Sequence, residues 1–140
     1  MSLAEGAQMV PELWAMAGLS AVWVFLVFGQ QLFNDKAKGA AWALSNRDDQ
    51  DMPPTSQRLA RATVNHVENA VMFVPVATAL VVAGLNTSVT GIAALAFLAF
   101  RAGHALTYAL GITHIRSGFW IGGMVATVVT GWPLIRAVFV

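Results

Sequence analysis

Four polar side chains, Arg61, Asn65, Glu68 and Asn69, head a stretch that then runs from Ala70 to Leu85 without a charge. Their spacing of i, i+4, i+7 and i+8 sets them on one face of a helix. A guanidinium matches a carboxylate through forked hydrogen bonds, and a carboxylate matches an ammonium. Such a face has the chemistry to hold a small zwitterion. Ionisable groups at membrane depth are costly, and those that persist are usually functional.

A second set, Arg101, His104 and Tyr108, recurs at i, i+3 and i+7 in a later apolar run. The two runs are antiparallel neighbours in the chain, so the two faces can be compared by depth. At about 1.5 Å of rise per residue, Glu68 and Arg101 each lie roughly 16 Å from the end of their helix. On the same rise Asn65 and His104 lie roughly 12 Å in, and Arg61 and Tyr108 roughly 6 Å in. Matched polarity at matched depth predicts two walls of one cleft. It also predicts that Glu68 and Arg101 neutralise each other, as buried charges require. The plainer alternatives are that this pair serves as internal glue and that Asn65 bonds only to a neighbouring helix. Arg58 reads as a head-group anchor.

The elements that must carry these residues are membrane spans. The 140 residues are 57% hydrophobic and 11% charged, with mean hydropathy +0.65. A soluble domain is nearer half apolar and a quarter charged. Four stretches are long enough to cross, at about 11–33, 58–85, 89–112 and 117–139. They predict a single all-α integral membrane domain, a four-helix up-down-up-down bundle with one real loop at 34–57. In that loop Pro53-Pro54 precedes Thr55 and Ser56, the expected N-caps of the second span. Residues 1–10 carry Glu5 and no lysine or arginine, unlike a signal peptide. Small residues four apart, Ala99/Gly103 and Gly118/Gly122, predict close helix approach. Lys36, Lys38, Arg47, Arg58 and Arg61 gather at the first connection and Arg116 at the third. The positive-inside rule then sets connections one and three in the cytoplasm and both termini outside.

Several function classes fall away. The net charge of +1 and the lack of a basic, aromatic-interleaved run exclude nucleic acid as a partner. There is no cysteine, hence no thiolate metal site or cysteine nucleophile. His66, His104 and His114 have no ligand spacing, and His114 falls in the expected third connection. His66 is expected to turn away from the Arg61 face. Phosphate loops, nucleotide fingerprints and a serine-hydrolase elbow are missing from the sequence. The five tryptophans read as interface belt and packing.

The segment R-A-T-V-N-H-V-E-N at 61–69, followed by Phe73 and Pro75, closely resembles the second-helix signature of the MAPEG family. Those are the membrane-associated proteins of eicosanoid and glutathione metabolism. The likeness extends through the proline-containing first loop, Arg101-x-x-His104-x-x-x-Tyr108 and Arg116. It implies a homotrimer that holds glutathione between subunits near the cytoplasmic side. It also implies a glutathione S-transferase-like activity toward a lipophilic electrophile arriving from the membrane lipids, with peroxidase activity as a companion. By the resemblance Arg61, Asn65, Glu68, Asn69, Arg101, His104 and Tyr108 line the glutathione site, and Arg116 is the catalytic cation beside the thiol. A cation there lowers a thiol pKa from about 8.5 toward neutrality. Three positions depart from the eicosanoid branch: Asn69 and His104 replace aromatic residues, and Arg116 falls one residue later. Those departures leave open a non-catalytic lipid- or partner-binding protein on the same scaffold, or an accessory subunit of a membrane complex.

Overall fold

The structure is a computed structural model, and it describes residues 9–49 and 51–139. Among these residues all regular structure is helical. The elements are α1 (Pro11–Lys38), α2 (Ala40–Ala43), α3 (Pro54–Val82), α4 (Ser88–Leu110) and α5 (Thr113–Phe139). The four long helices have 23 to 29 residues, and the most apolar stretch of each has a mean hydropathy of 1.3 to 1.7. At 1.5 Å per residue even the shortest reaches about 34 Å, enough to cross the hydrocarbon core.

Helix ends follow local chemistry. Proline opens both α1 and α3, where its preset φ suits the first helical position and its missing N–H costs nothing. The expected caps Thr55 and Ser56 therefore lie inside α3. The Ser56 hydroxyl instead donates to Asn34 of α1, and both residues are buried. α1 runs past the expected limit at 33 to Lys38 and stops at Gly39, whose φ of 82° ends the helix. The first connection is thus shortened at both ends, and α2 stands within it. There the Lys38 ammonium lies 2.6 Å from Asp49 and, with the Asp51 amide, holds that carboxyl below its ordinary range.

α4 begins with a capping box between Thr87 and Thr90 and ends at Gly111, with φ 75°. The Ile112 amide donates to Thr107 O at 2.9 Å and the Gly111 amide to Tyr108 O at 3.1 Å, satisfying the last carbonyls. The reversal into α5 takes two residues. His114 and Arg116, expected in a connection, therefore stand in the first turn of α5.

α3 and α4 form the central pair of the bundle, with α1 against one side and α5 against the other; among the described residues the backbones of α1 and α5 do not approach each other closely. Phe73 of α3 stacks on Phe97 of α4 at 4.1 Å with their planes 7° apart, surrounded by Ala15, Ala77, Ala94 and Ala126. The polarity is inverted relative to a soluble bundle. Phe25, Phe28, Leu32 and Ile92 face outward, each about 70% exposed, while Glu12, His66, Asn69, Arg101 and His104 are buried. Lipid accepts the apolar surface, and interhelical hydrogen bonds hold Glu12 to Thr90, His66 to Leu19 and Arg101 to Asn65.

The α4–α5 seam is keyed by glycine. A Cβ on Gly103 would meet the Phe119 ring at 2.6 Å, and one on Gly122 would meet Phe100 at 2.8 Å. Each helix thus seats a phenylalanine of the other in a glycine socket, and the two rings lie 6.4 Å apart. Gly118 meets nothing within 4 Å, so of the pair Gly118/Gly122 one member carries the close approach. Gly103→Leu should expel Phe119 and lower stability by about 1–3 kcal/mol, the usual cost of overpacking. Gly118→Leu should leave stability nearly unchanged, and thermal unfolding in detergent measures both.

Candidate functional site

The charged face of α3 opens outward from the seam between α3 and α4. Arg61 and Glu68 are exposed, and Asn65 between them is half-buried. With Tyr108 of α4 they border a hollow of about 400 Å³. A second hollow of about 420 Å³ lies alongside, bordered by Asn65, His104, Tyr108 and Arg116. Asn65 and Tyr108 belong to both, so the two are lobes of one recess.

Tyr108 is the partition, and two contacts fix its ring. His104, one turn earlier, packs edge-on at 5.3 Å, and the Arg116 guanidinium lies over the face at 4.4 Å. Arg116 reaches that place because Gly111 turns the chain within two residues and the Gly103–Phe119 socket holds α5 close to α4. Arg58 braces the same corner. Its guanidinium donates to Thr55 Oγ1 at 3.0 Å and to Ala109 O at 3.4 Å, tying the start of α3 to the end of α4. Expected as a head-group anchor, Arg58 is a half-buried clamp.

Behind the recess stands a buried polar layer. Arg101 is 1% exposed, and its Nη2 donates to Asn65 Oδ1 at 3.1 Å. Asn69 is buried as well, and its Nδ2 donates to the Asn65 main-chain oxygen at 2.8 Å. Both expected ligand contacts thus support Asn65 from within and border neither lobe. His66 faces α1, its Nε2 at 3.0 Å from Leu19 O. A carbonyl can only accept, so that nitrogen carries the proton.

The expected Glu68–Arg101 pair does not form among the described residues: Glu68 is on the outer face of α3 and Arg101 is bonded to Asn65. The expectation compared the two residues by rise along their helices alone, whereas azimuth also decides the contact. At 100° per residue, Asn69 lies about 40° from Asn65 whereas Glu68 lies about 60° away on the other side. Asn69 turns inward and Glu68 outward.

Residues that the polar spacing did not single out complete the recess, Ala60 and Val64 in one lobe and Ser117, Trp120 and Ile121 in the other. Trp120 and Ile121, one turn beyond Arg116, line its lobe. Their apolar character, one turn after a cation at a helix start, was the available signal. A larger hollow, about 660 Å³, lies elsewhere, between α1 and α3. Its lining is apolar apart from Ser20 and His66, and it has no charged group to bind or activate a polar ligand.

The family model that matches the chain is that of the MAPEG family, over residues 13–136. The chain belongs to the MAPEG family. No curated protein and no solved structure matches it. As a MAPEG protein it is a multi-pass integral membrane protein of the family of glutathione and eicosanoid metabolism. The match covers α3 and α4 in full and most of α1 and α5, and therefore the whole recess.

In this MAPEG protein the Tyr108–Arg116 contact should be measurable apart from any ligand. A double-mutant cycle of Tyr108→Leu and Arg116→Met, read by thermal unfolding, should give a coupling of about 0.5–1 kcal/mol. Tyr108→Phe, which keeps the ring face, should retain most of it.

Proposed function

We propose that the protein is a membrane-bound glutathione S-transferase that conjugates the thiol to a lipophilic electrophile. The observation that carries this reading is the shared recess, in which Arg61, Glu68 and Arg116 border two lobes joined at Asn65 and Tyr108. Glutathione has two carboxylates, an ammonium and a thiol. Arg61 suits a carboxylate and Glu68 suits the ammonium. Arg116 lies in the first turn of α5, where the guanidinium and the positive end of the helix dipole both favour an anion. A thiolate there attacks the electrophilic carbon, forming a C–S bond as the leaving group departs with its electron pair. Trp120 and Ile121 supply the apolar wall along which the electrophile enters from the bilayer.

The proposal includes a homotrimer with the recess turned to the cytoplasm. Arg61 and Glu68 are exposed on one protomer, flanked by Val64 and Val71 at 60% and 66% exposure. Charged groups at membrane depth face protein or water rather than acyl chains. A second copy of the chain against α3 meets that demand. The cations at the first connection and at the start of α5 support this orientation through the positive-inside rule.

In the purified protein, calorimetry should show saturable glutathione binding, and a reactive aryl halide should be turned over. Arg61→Ala and Glu68→Gln should each raise the KM for glutathione roughly 10- to 100-fold, as expected for a lost hydrogen bond to a charged group. Arg116→Ala should instead lower kcat by roughly tenfold or more through a smaller thiolate fraction. Failure of glutathione to bind ends the proposal. Because the chain has no cysteine, Val64→Cys gives a single-thiol protein. A short bifunctional thiol reagent should join its protomers, and their remaining monomeric would refute the α3 interface.

A further inference from the structure

Arg101 does not reach the recess, yet it decides what the recess offers. A guanidinium has donors and no lone pair, so the Asn65 atom 3.1 Å from Arg101 Nη2 is the amide oxygen. Asn69 Nδ2 approaches the same Oδ1 at 3.4 Å while donating to the Asn65 main-chain oxygen. Two donors thus converge on the inner side of one side chain. The flipped amide would set its NH2 against both, donor to donor, in a low-dielectric interior where such a mismatch is most costly. Asn65 borders both lobes of the recess, and its Nδ2 is the end left to face them.

We infer that Asn65 is a fixed hydrogen-bond donor, held in that polarity by Arg101 as a positioning residue, and that it selects an acceptor oxygen, carboxylate or carbonyl, on the ligand. The inference rests on the reading of the recess as a glutathione site and specifies which group of the ligand meets the centre of α3. Electrostatics points the same way. Among the described residues no carboxylate lies within ion-pair distance of Arg101, so the buried cation favours the electron-rich part of a ligand beside Asn65.

Asn65→Asp separates this from the opposite polarity. Its carboxylate keeps the acceptor facing Arg101 and removes the donor facing the recess. The variant should unfold at a higher temperature than the wild type, through the new ion pair. Its KM for glutathione should rise roughly 10- to 100-fold. In an Arg101→Met background the same substitution leaves an unpaired buried carboxylate and should lower the unfolding temperature. Arg101→Met alone should raise the KM for glutathione roughly tenfold or more while kcat at saturation changes less than about twofold, and Arg101→Lys should restore most of the KM. Glutathione binding by Asn65→Asp at wild-type strength would show that Asn65 serves as an acceptor and would overturn the inference. So would an equal loss of stability on Asn65→Asp in both backgrounds. A wild type that binds no glutathione removes the transferase reading alone, because the stability comparison still decides the polarity of Asn65.

Discussion

The bond from Arg101 to Asn65 is the contact on which the interior of this bundle turns. A full positive charge stands 1% exposed between apolar helices, held by a neutral amide rather than by a carboxylate. A group so costly to bury constrains everything around it. It ties α4 to α3 at one depth, sets the rotation of both helices and orients the Asn65 amide. Because Arg101 donates its hydrogen bond on α3 to an amide, Glu68 is free to stand on the outer face with Arg61. The acidic and basic groups of the recess thus stay unpaired with the interior and open to a ligand.

Close approach of the backbones makes that arrangement possible. Without a hydrophobic driving force in lipid, helices associate through packing and interhelical hydrogen bonds. Alanines around the Phe73–Phe97 stack bring α1, α3 and α4 together, and the reciprocal Gly–Phe sockets bring α5 to α4. The second seam matters most for chemistry, since it carries Arg116 to the face of Tyr108. Gly111 contributes by its left-handed φ, which shortens the turn and sets Arg116 in the first turn of α5. Structural glycines that border neither lobe therefore place the cation of the recess.

The bundle was legible early because membrane spans obey a simple rule: about twenty apolar residues, or they do not cross. The family was legible in the 61–69 segment, whose residue types and spacing are specific. Boundaries were less so. Thr55 and Ser56 have the chemistry of N-caps, but Pro53-Pro54 could start α3 earlier and did, freeing Ser56 to bond Asn34. The two-residue turn at Gly111 likewise drew His114 and Arg116 out of the expected loop and into helix.

Composition and periodicity thus determined the number of spans and their polar faces, because hydropathy and spacing are properties of one chain segment at a time. Tertiary structure alone decided the partners. Whether Glu68 or Asn69 turns inward depends on a few tens of degrees of helix rotation, set by packing against α4. Whether Arg116 reaches Tyr108 depends on a glycine socket one turn away on a different helix. Such contacts depend on azimuth and interhelical distance, which no single segment encodes.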